Sequence, residues 1–238
     1  MSHSTVLVLA AHPDDEVLGC GASMARHVRE GDSVHVVILA EGVTSRDKKR
    51  DRDLRDEDLS ALSEAAKRAN ALLGVESLSM GNLPDNRLDT VPLLDIVKLV
   101  EGYFDTVKPD IVYTHHAGDL NIDHRCIHQA VVTACRPIPG KKPVDTLLFF
   151  EVPSSTEWQP PGSAEPFTPD WFTDITDSID VKLEALKEYS SEMRPWPHAR
   201  SLEAVEHLAR WRGANVGVSA AEAFKLGRKL LLLNRGGS

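Results

Sequence analysis

Two uninterrupted apolar runs, 5–11 (TVLVLAA) and 33–40 (SVHVVILA), carry the β-branched and aliphatic pattern of strands buried on both faces of a sheet. Between them, 17–30 (VLGCGASMARHVRE) has helical spacing and stops before Gly31. This strand, helix, strand order predicts a βαβ unit with a parallel sheet. The alternation continues with an alanine-rich helix at 58–73 stopped by Gly74, a short strand at 75–80, and a helix at 91–107. Asp89 is placed to cap that last helix, and Pro92 falls in its first turn. KPDIVYTHH at 108–116 reads as a strand ending in polar residues. A helix beginning at Asn121 or Asp123 follows, to about Cys135, and then a strand at 145–152 (DTLLFFEV).

Beyond 152 the pattern changes. Residues 153–172 are rich in Pro, Ser and Gly with interleaved aromatics, which predicts a long ordered loop, because the aromatics need packing partners. Helices are expected at 178–190, 201–212 and 219–232. The chain therefore divides into a catalytic α/β core, 1–152, and a C-terminal loop-and-helix elaboration of the same domain, 153–238, expected to carry specificity. The charged run from Arg46 to Asp58 mixes both signs and reads as a solvated helix face.

The composition narrows the function. A chain of 238 residues with a formal net charge of −9 does not draw in a phosphate backbone, so nucleic acid is not an expected partner. The cysteines Cys20, Cys126 and Cys135 form no CxxC pair and sit in helix patterns among apolar residues, which argues for reduced core thiols and against a thiol enzyme. The start of the chain lacks a basic n-region, and its apolar run, Val6 to Ala11, is too short for a signal peptide or a membrane span. A cytoplasmic location without membrane contact is the expectation. The C-terminal aromatics need cover, which points to a homo-oligomer.

The chemistry concentrates in two clusters. AHPDDE follows the first strand and holds His12, Asp14, Asp15 and Glu16 where α/β sheets build their sites, outside the carboxyl ends of strands. Carboxylates there need water, a partner or a metal. His12 and Asp15 are suitable zinc ligands, which would leave Asp14 free as a base on a metal-bound water. Spacing alone does not decide between the two aspartates, and an acidic turn also suits a helix N-terminus. HHAGDLNIDHR, 115–125, follows the strand at 110–114 and would lie on the same sheet edge. A catalytic zinc takes three protein ligands, and His124, beginning a helix, can point back to the strand ends. His128 stands four residues on, without the glutamate of an HExxH motif, and reads as a core or surface residue. His115 and His116 can line the site.

AHPDDEVLGCG at 11–21 together with NIDHR at 121–125 resembles the PIG-L/LmbE-like family of zinc-dependent N-acetylglucosaminyl deacetylases, over roughly residues 4–150. The resemblance implies a Rossmann-like fold, zinc held by His12, Asp15 and His124, and Asp14 as general base. Asp123 would orient His124 or a substrate group. Many members carry a histidine where this chain has Asn121, which can donate a hydrogen bond but cannot transfer a proton. Asn121 or a nearby histidine is therefore expected to assist the tetrahedral intermediate, and the acid is His116, His115 or His198, or else Asp14 carries the proton in both directions. Of the arginines Arg46, Arg52 and Arg55, which answer to a substrate-contacting arginine of the family, Arg55 is taken into the expected site. His198 and Arg200 are placed to reach an anionic group such as a nucleotide phosphate, and Trp158, Trp171 and Trp196 to stack on a sugar or to pack.

The expected function is removal of an N-acetyl group from an amino-sugar-containing small molecule by a zinc-dependent hydrolase; a carboxylate ligand admits other divalent metals. Two alternatives stand beside it. One is a metal-dependent phosphoester hydrolase. The other is a noncatalytic sugar- or nucleotide-binding module, although the first βα turn lacks GxGxxG and its acidic cluster repels pyrophosphate.

Overall fold

The computed structural model of the protein describes residues 3–231. Five parallel strands come first: β1 (Thr5–Ala10), β2 (Ser33–Ala40), β3 (Ser77–Leu83), β4 (Ile111–His115) and β5 (Thr146–Phe150). Two more, β6 (Trp171–Asp174) and β7 (Ala221–Lys229), join antiparallel, so that one sheet runs β3-β2-β1-β4-β5-β7-β6. The helices are α1 (Asp15–Arg29), α2 (Asp56–Leu72), α3 (Leu93–Val107), α4 (Ile122–Ala134), α5 (Ile179–Glu188) and α6 (Leu202–Ala214). None of the described helices is long and apolar enough to cross a membrane.

Strand alternation sorts the core into two layers. Val6, Val8, Val34, Val36 and Ile38 face α1, α2 and α5, whereas Leu7, Leu9, Val37 and Leu39 face α3 and α4. Both faces of β1 and β2 are thereby buried, which is why their sequences show no polar alternation. The chain leaves β1 toward β2 on one side and later returns to β4 on the other. This reversal opens a crevice at the carboxyl ends of β1 and β4, the place where doubly wound sheets bind ligands.

The structure corrects four expectations. The segment predicted as a helix at 219–232 is strand β7 as far as Lys229, and residue 232 lies outside the described residues. Its Ala, Glu, Lys and Leu are good helix formers, but the unpaired edge of β5 and the partner strand β6 take up its backbone, and tertiary pairing overrides propensity. Trp171 and Phe172, expected in the long loop, belong to the edge strand β6. The charged run 46–58 is no helix face before Asp56; Arg50 and Arg52 instead turn back to Glu41, which is buried at the end of β2. Asp89 sits in a short turn, Leu88–Thr90, and α3 starts after Pro92.

Helix α1 bends at Cys20, whose φ of −147° leaves the helical region. Glu222 on β7 bridges the bend by accepting the Ala22 and Ser23 N–H groups at 3.1 and 2.7 Å. Lys182 on α5 holds Glu222 at 2.6 Å and donates to the Leu18 carbonyl at 2.8 Å. At Gly19 any Cβ would collide with the Phe150 ring, so the bend needs glycine there. The C-terminal segment is thus bolted to the helix that carries Asp15 and Glu16. Because Lys182 and Glu222 are both buried, Glu222→Ala leaves an unpaired ammonium and is expected to cost about 3–5 kcal/mol in chemical denaturation. A loss below about 1 kcal/mol would remove this pair from the account of stability.

Candidate active site

Four segments meet at the crevice. The turn after β1 supplies His12, Pro13 and Asp14, and the first turn of α1 supplies Asp15 and Glu16. Strand β4 ends at His115, and α4 begins under an Asn121 cap that accepts the Asp123 N–H at 2.8 Å. The helix placement puts His124 one turn into α4, facing Asp15.

One donor each from His12, Asp15 and His124 lies within 4.8 Å of the others. Asp15 Oδ2 stands 3.2 Å from His12 Nδ1 and 3.1 Å from His124 Nε2. Asp15 Oδ1 and His124 Nε2 are nevertheless buried without a hydrogen-bond partner, since the close ring contact lies off the direction that a hydrogen bond needs. Buried polar atoms are rarely left so, and two imidazoles and a carboxylate converging on one point fit a divalent cation of the zinc type.

A second grouping, His12, Asp85 and Asp123, is as compact. Its carboxylates are already engaged, because Asp123 accepts from the Asn86 and Leu88 N–H groups and Asp85 from that of Ser45. Asp123 therefore orients His12, by accepting from Nε2 at 2.9 Å, and leaves Nδ1 turned to Asp15.

The carboxylate beside His124 Nδ1 is Asp119, whereas Asp123, expected to orient His124 or a substrate group, reaches His12. Asp119 Oδ1 lies 3.1 Å from His124 Nδ1 and is itself held by Ser155, Thr156 and the Asn121 N–H. The sequence displays Asp119 in the second cluster, but only the fold brings Ser155 and Thr156 over it.

Charge follows from this crowding. Burial works against a charged His124, yet Asp15 and Asp119 outweigh it and lift its pKa to about 9. Burial likewise opposes charge on His12, and Asp123, Asp15 and Asp85 still raise it well above an ordinary imidazole. Burial would raise Asp15, but His124 and His12 hold it well below the usual carboxylate range. The pocket thus calls for positive charge at the point where the ligands meet, and a cation there takes the place of the protons. His115 behaves differently. It stacks on His124 at 3.9 Å, and its Nε2 accepts the Ala11 N–H at 2.8 Å, so that lone pair is not open to a metal. Burial and the neighbouring His124 lower its pKa well below normal.

Asp14 has a φ of 117°, a conformation that side chains other than glycine rarely adopt. Glu16 holds it there by accepting the Asp14 N–H at 3.1 Å, while Tyr189 Oη and Asn70 donate to the other Glu16 oxygen at 2.6 and 2.9 Å. Arg200 donates to Asp14 Oδ2 at 2.7 Å and to Ser154 Oγ at 2.7 Å. Burial pushes the Asp14 carboxyl up, against the pull of Arg200 and with the push of Asp15. A carboxylate with raised affinity for protons, fixed beside three donors, is suited to move a proton.

The cleft above has a volume of about 120 Å³, and His12, Asp14, Arg46, Asn121, Glu192 and Arg200 are among the residues that line it. A hollow of about 190 Å³ lies before the amino ends of β4 and β5, away from this chemistry. Asn121 and Arg200, both named from the sequence, line the cleft, whereas His116, Arg55 and His198 are engaged elsewhere. His116 is buried, bonded to the Glu165 carbonyl at 2.9 Å and packed on Phe167. Arg55 is clasped by Asp47 and Asp58, and the arginine of that loop at the cleft is Arg46. His198 packs on Trp158 and accepts the Arg200 N–H at 3.0 Å, which braces the loop that presents Arg200. Asp85, Asn86 and Glu192 escaped the sequence reading; a polar LPDN at the end of β3 is the signal that could have found the first two.

A sequence model for the family described as GlcNAc-PI de-N-acetylase, PIG-L, matches residues 7–135. An Escherichia coli K12 protein described as an uncharacterized deacetylase, YaiS, is 32% identical over 191 residues, covering 78% of this chain and 90% of that one. The 4-oxalmesaconate hydratase of Pseudomonas putida is 29% identical over 237 residues, covering 91% of this chain and 84% of its own. The solved structure of N,N'-diacetylchitobiose deacetylase from Pyrococcus horikoshii shares the fold with a TM-score of 0.73 at 20% identity, over 94% of this chain and 83% of that one.

The carboxylates behind the two histidines generate a test. Asp119→Asn and Asp123→Asn each keep the shape and weaken the charge behind a ring, and each should lower zinc affinity about 10–100-fold in a chelator competition. Unchanged affinity in both variants, with the fold intact by circular dichroism, would strip them of that role.

Proposed function

We propose, from the premise that the chain belongs to the PIG-L family, that the protein is a zinc-dependent hydrolase removing an N-acetyl group from an amino-sugar-containing small molecule. One observation carries this reading: His12, Asp15 and His124 converge beside the strained, buried Asp14 on the floor of a polar cleft. His12, Asp15 and His124 would hold the ion. Zinc bound there supplies Lewis-acid polarisation of the amide carbonyl and lowers the pKa of water toward about 7.

The chain's own residues do the rest. Asp14 takes the proton from the attacking water, its direction set by Arg200 and its backbone by Glu16. Asn121, at the cleft wall, donates to the carbonyl oxygen as that oxygen gains charge. Asparagine cannot protonate the departing nitrogen, and His116 is tied elsewhere, so the proton held on Asp14 is the one passed to the amine. The raised proton affinity of Asp14 supports that double duty.

A second reading, water addition in the manner of a hydratase, is favoured by the Pseudomonas putida relative and uses the same base. Acetate release separates the two, since a hydratase frees none. With N-acetylglucosamine and a panel of its conjugates, the zinc-loaded protein is expected to release acetate and to stop on chelation. Asp14→Asn should retain one zinc per chain and lose about 10²–10⁴-fold in kcat. His12→Ala should lose the zinc itself. Wild-type turnover in Asp14→Asn, or full zinc occupancy in His12→Ala, would refute the corresponding role.

A further inference from the structure

Each guanidinium group that lines the cleft already meets a carboxylate. Arg46 Nη2 donates to both oxygens of Glu192, at 2.7 and 3.0 Å, and Glu192 is itself largely buried. Arg200 is committed to Asp14 and Ser154. The lining also carries Asp85, and Asp15, Asp119 and Asp123 lie beneath it. Two arginines thus face six carboxylates, and a divalent cation held by His12, Asp15 and His124 would offset only part of that charge. An incoming phosphate or carboxylate that reached either arginine would sit beside the carboxylate already paired with it. Like charges brought together out of water are strongly disfavoured. The remaining polar groups of the lining, Ser45, Asn86 and Asn121, are neutral donors and acceptors, which suit hydroxyl groups.

We infer that the part of the substrate held in this cleft is an uncharged, hydroxyl-rich sugar unit, and that Glu192, by occupying Arg46, is the residue that excludes anionic conjugates. The inference rests on the deacetylase reading and deepens it. Arg46 comes from the loop after β2 and Glu192 from the segment after α5, so their pairing closes one wall of the cleft. The same carboxylate-rich lining favours the ammonium group that deacetylation produces. Specificity here comes from a built-in repulsion as much as from attraction.

The test compares N-acetylglucosamine methyl glycoside with N-acetylglucosamine 6-phosphate as substrates of the zinc-loaded enzyme. It also compares binding of glucosamine with that of glucosamine 6-phosphate by calorimetry, which needs no turnover. The wild type should favour the neutral compound by about 10-fold or more in both measurements. Glu192→Gln should narrow that preference to below about 3-fold through a gain on the phosphorylated compound, and adding Arg46→Gln should abolish the gain. Equal or better handling of the phosphorylated compounds by the wild type, no change in Glu192→Gln, or no binding of either sugar would overturn the inference. If glucosamine binds in preference to its phosphate but no acetate is released from any conjugate, charge selection stands and the deacetylase reading falls.

Discussion

Everything at the crevice depends on keeping several carboxylates buried close together without letting them repel the fold apart. Asp14, Asp15, Glu16, Asp119 and Asp123 are all essentially inaccessible, and each is answered by a specific donor. Backbone N–H groups meet Asp123, hydroxyls and a backbone N–H meet Asp119, a phenol and an amide meet Glu16, and a guanidinium meets Asp14. What these donors leave over is concentrated on Asp15, whose second oxygen faces no partner. A cation held by Asp15, His12 and His124, as proposed above, would complete the arrangement and answer the same electrostatic requirement that the donors meet elsewhere.

The C-terminal segment is part of that requirement. Tyr189 at the end of α5 fixes Glu16, Glu222 on β7 and Lys182 on α5 fix the bend of α1, and Arg200 fixes Asp14. Glu192 adds the wall opposite Arg46. A strained Asp14 persists because these contacts from distant parts of the chain over-determine it. The segment that the composition set apart therefore braces Asp14 and helix α1 and supplies two strands of the sheet.

Legibility followed locality. His12, Asp14 and Asp15 stand side by side in the chain, and a run such as TVLVLAA can only be a strand buried on both faces, so the first cluster's place at a strand end was plain. His124 was legible for the same reason, one turn into a helix after a buried strand. The partners were not. Asp119 and Asp123 lie within five residues of one another, and nothing in the spacing tells which one backs His124 and which reaches across to His12; only the folded chain sets Asp119 beside His124 and Asp123 against His12. Arg46 and Arg55 are equally plausible as sequence, and they part only because Asp47 and Asp58 capture Arg55.

The sequence by itself determined the parallel α/β core and the two motif turns at its edge, because hydrophobic period and short-range spacing are written locally. Tertiary structure decided the direction and state of the last strand, the second layer of carboxylates, the grip of Arg200 on Asp14 and the pairing of Arg46 with Glu192. Those depend on which surfaces and charges meet once separate parts of the chain have folded together, for example Arg46 and Glu192, 146 positions apart. Local propensity carries no record of such meetings, and a buried charge selects its partner only when water has been removed from both.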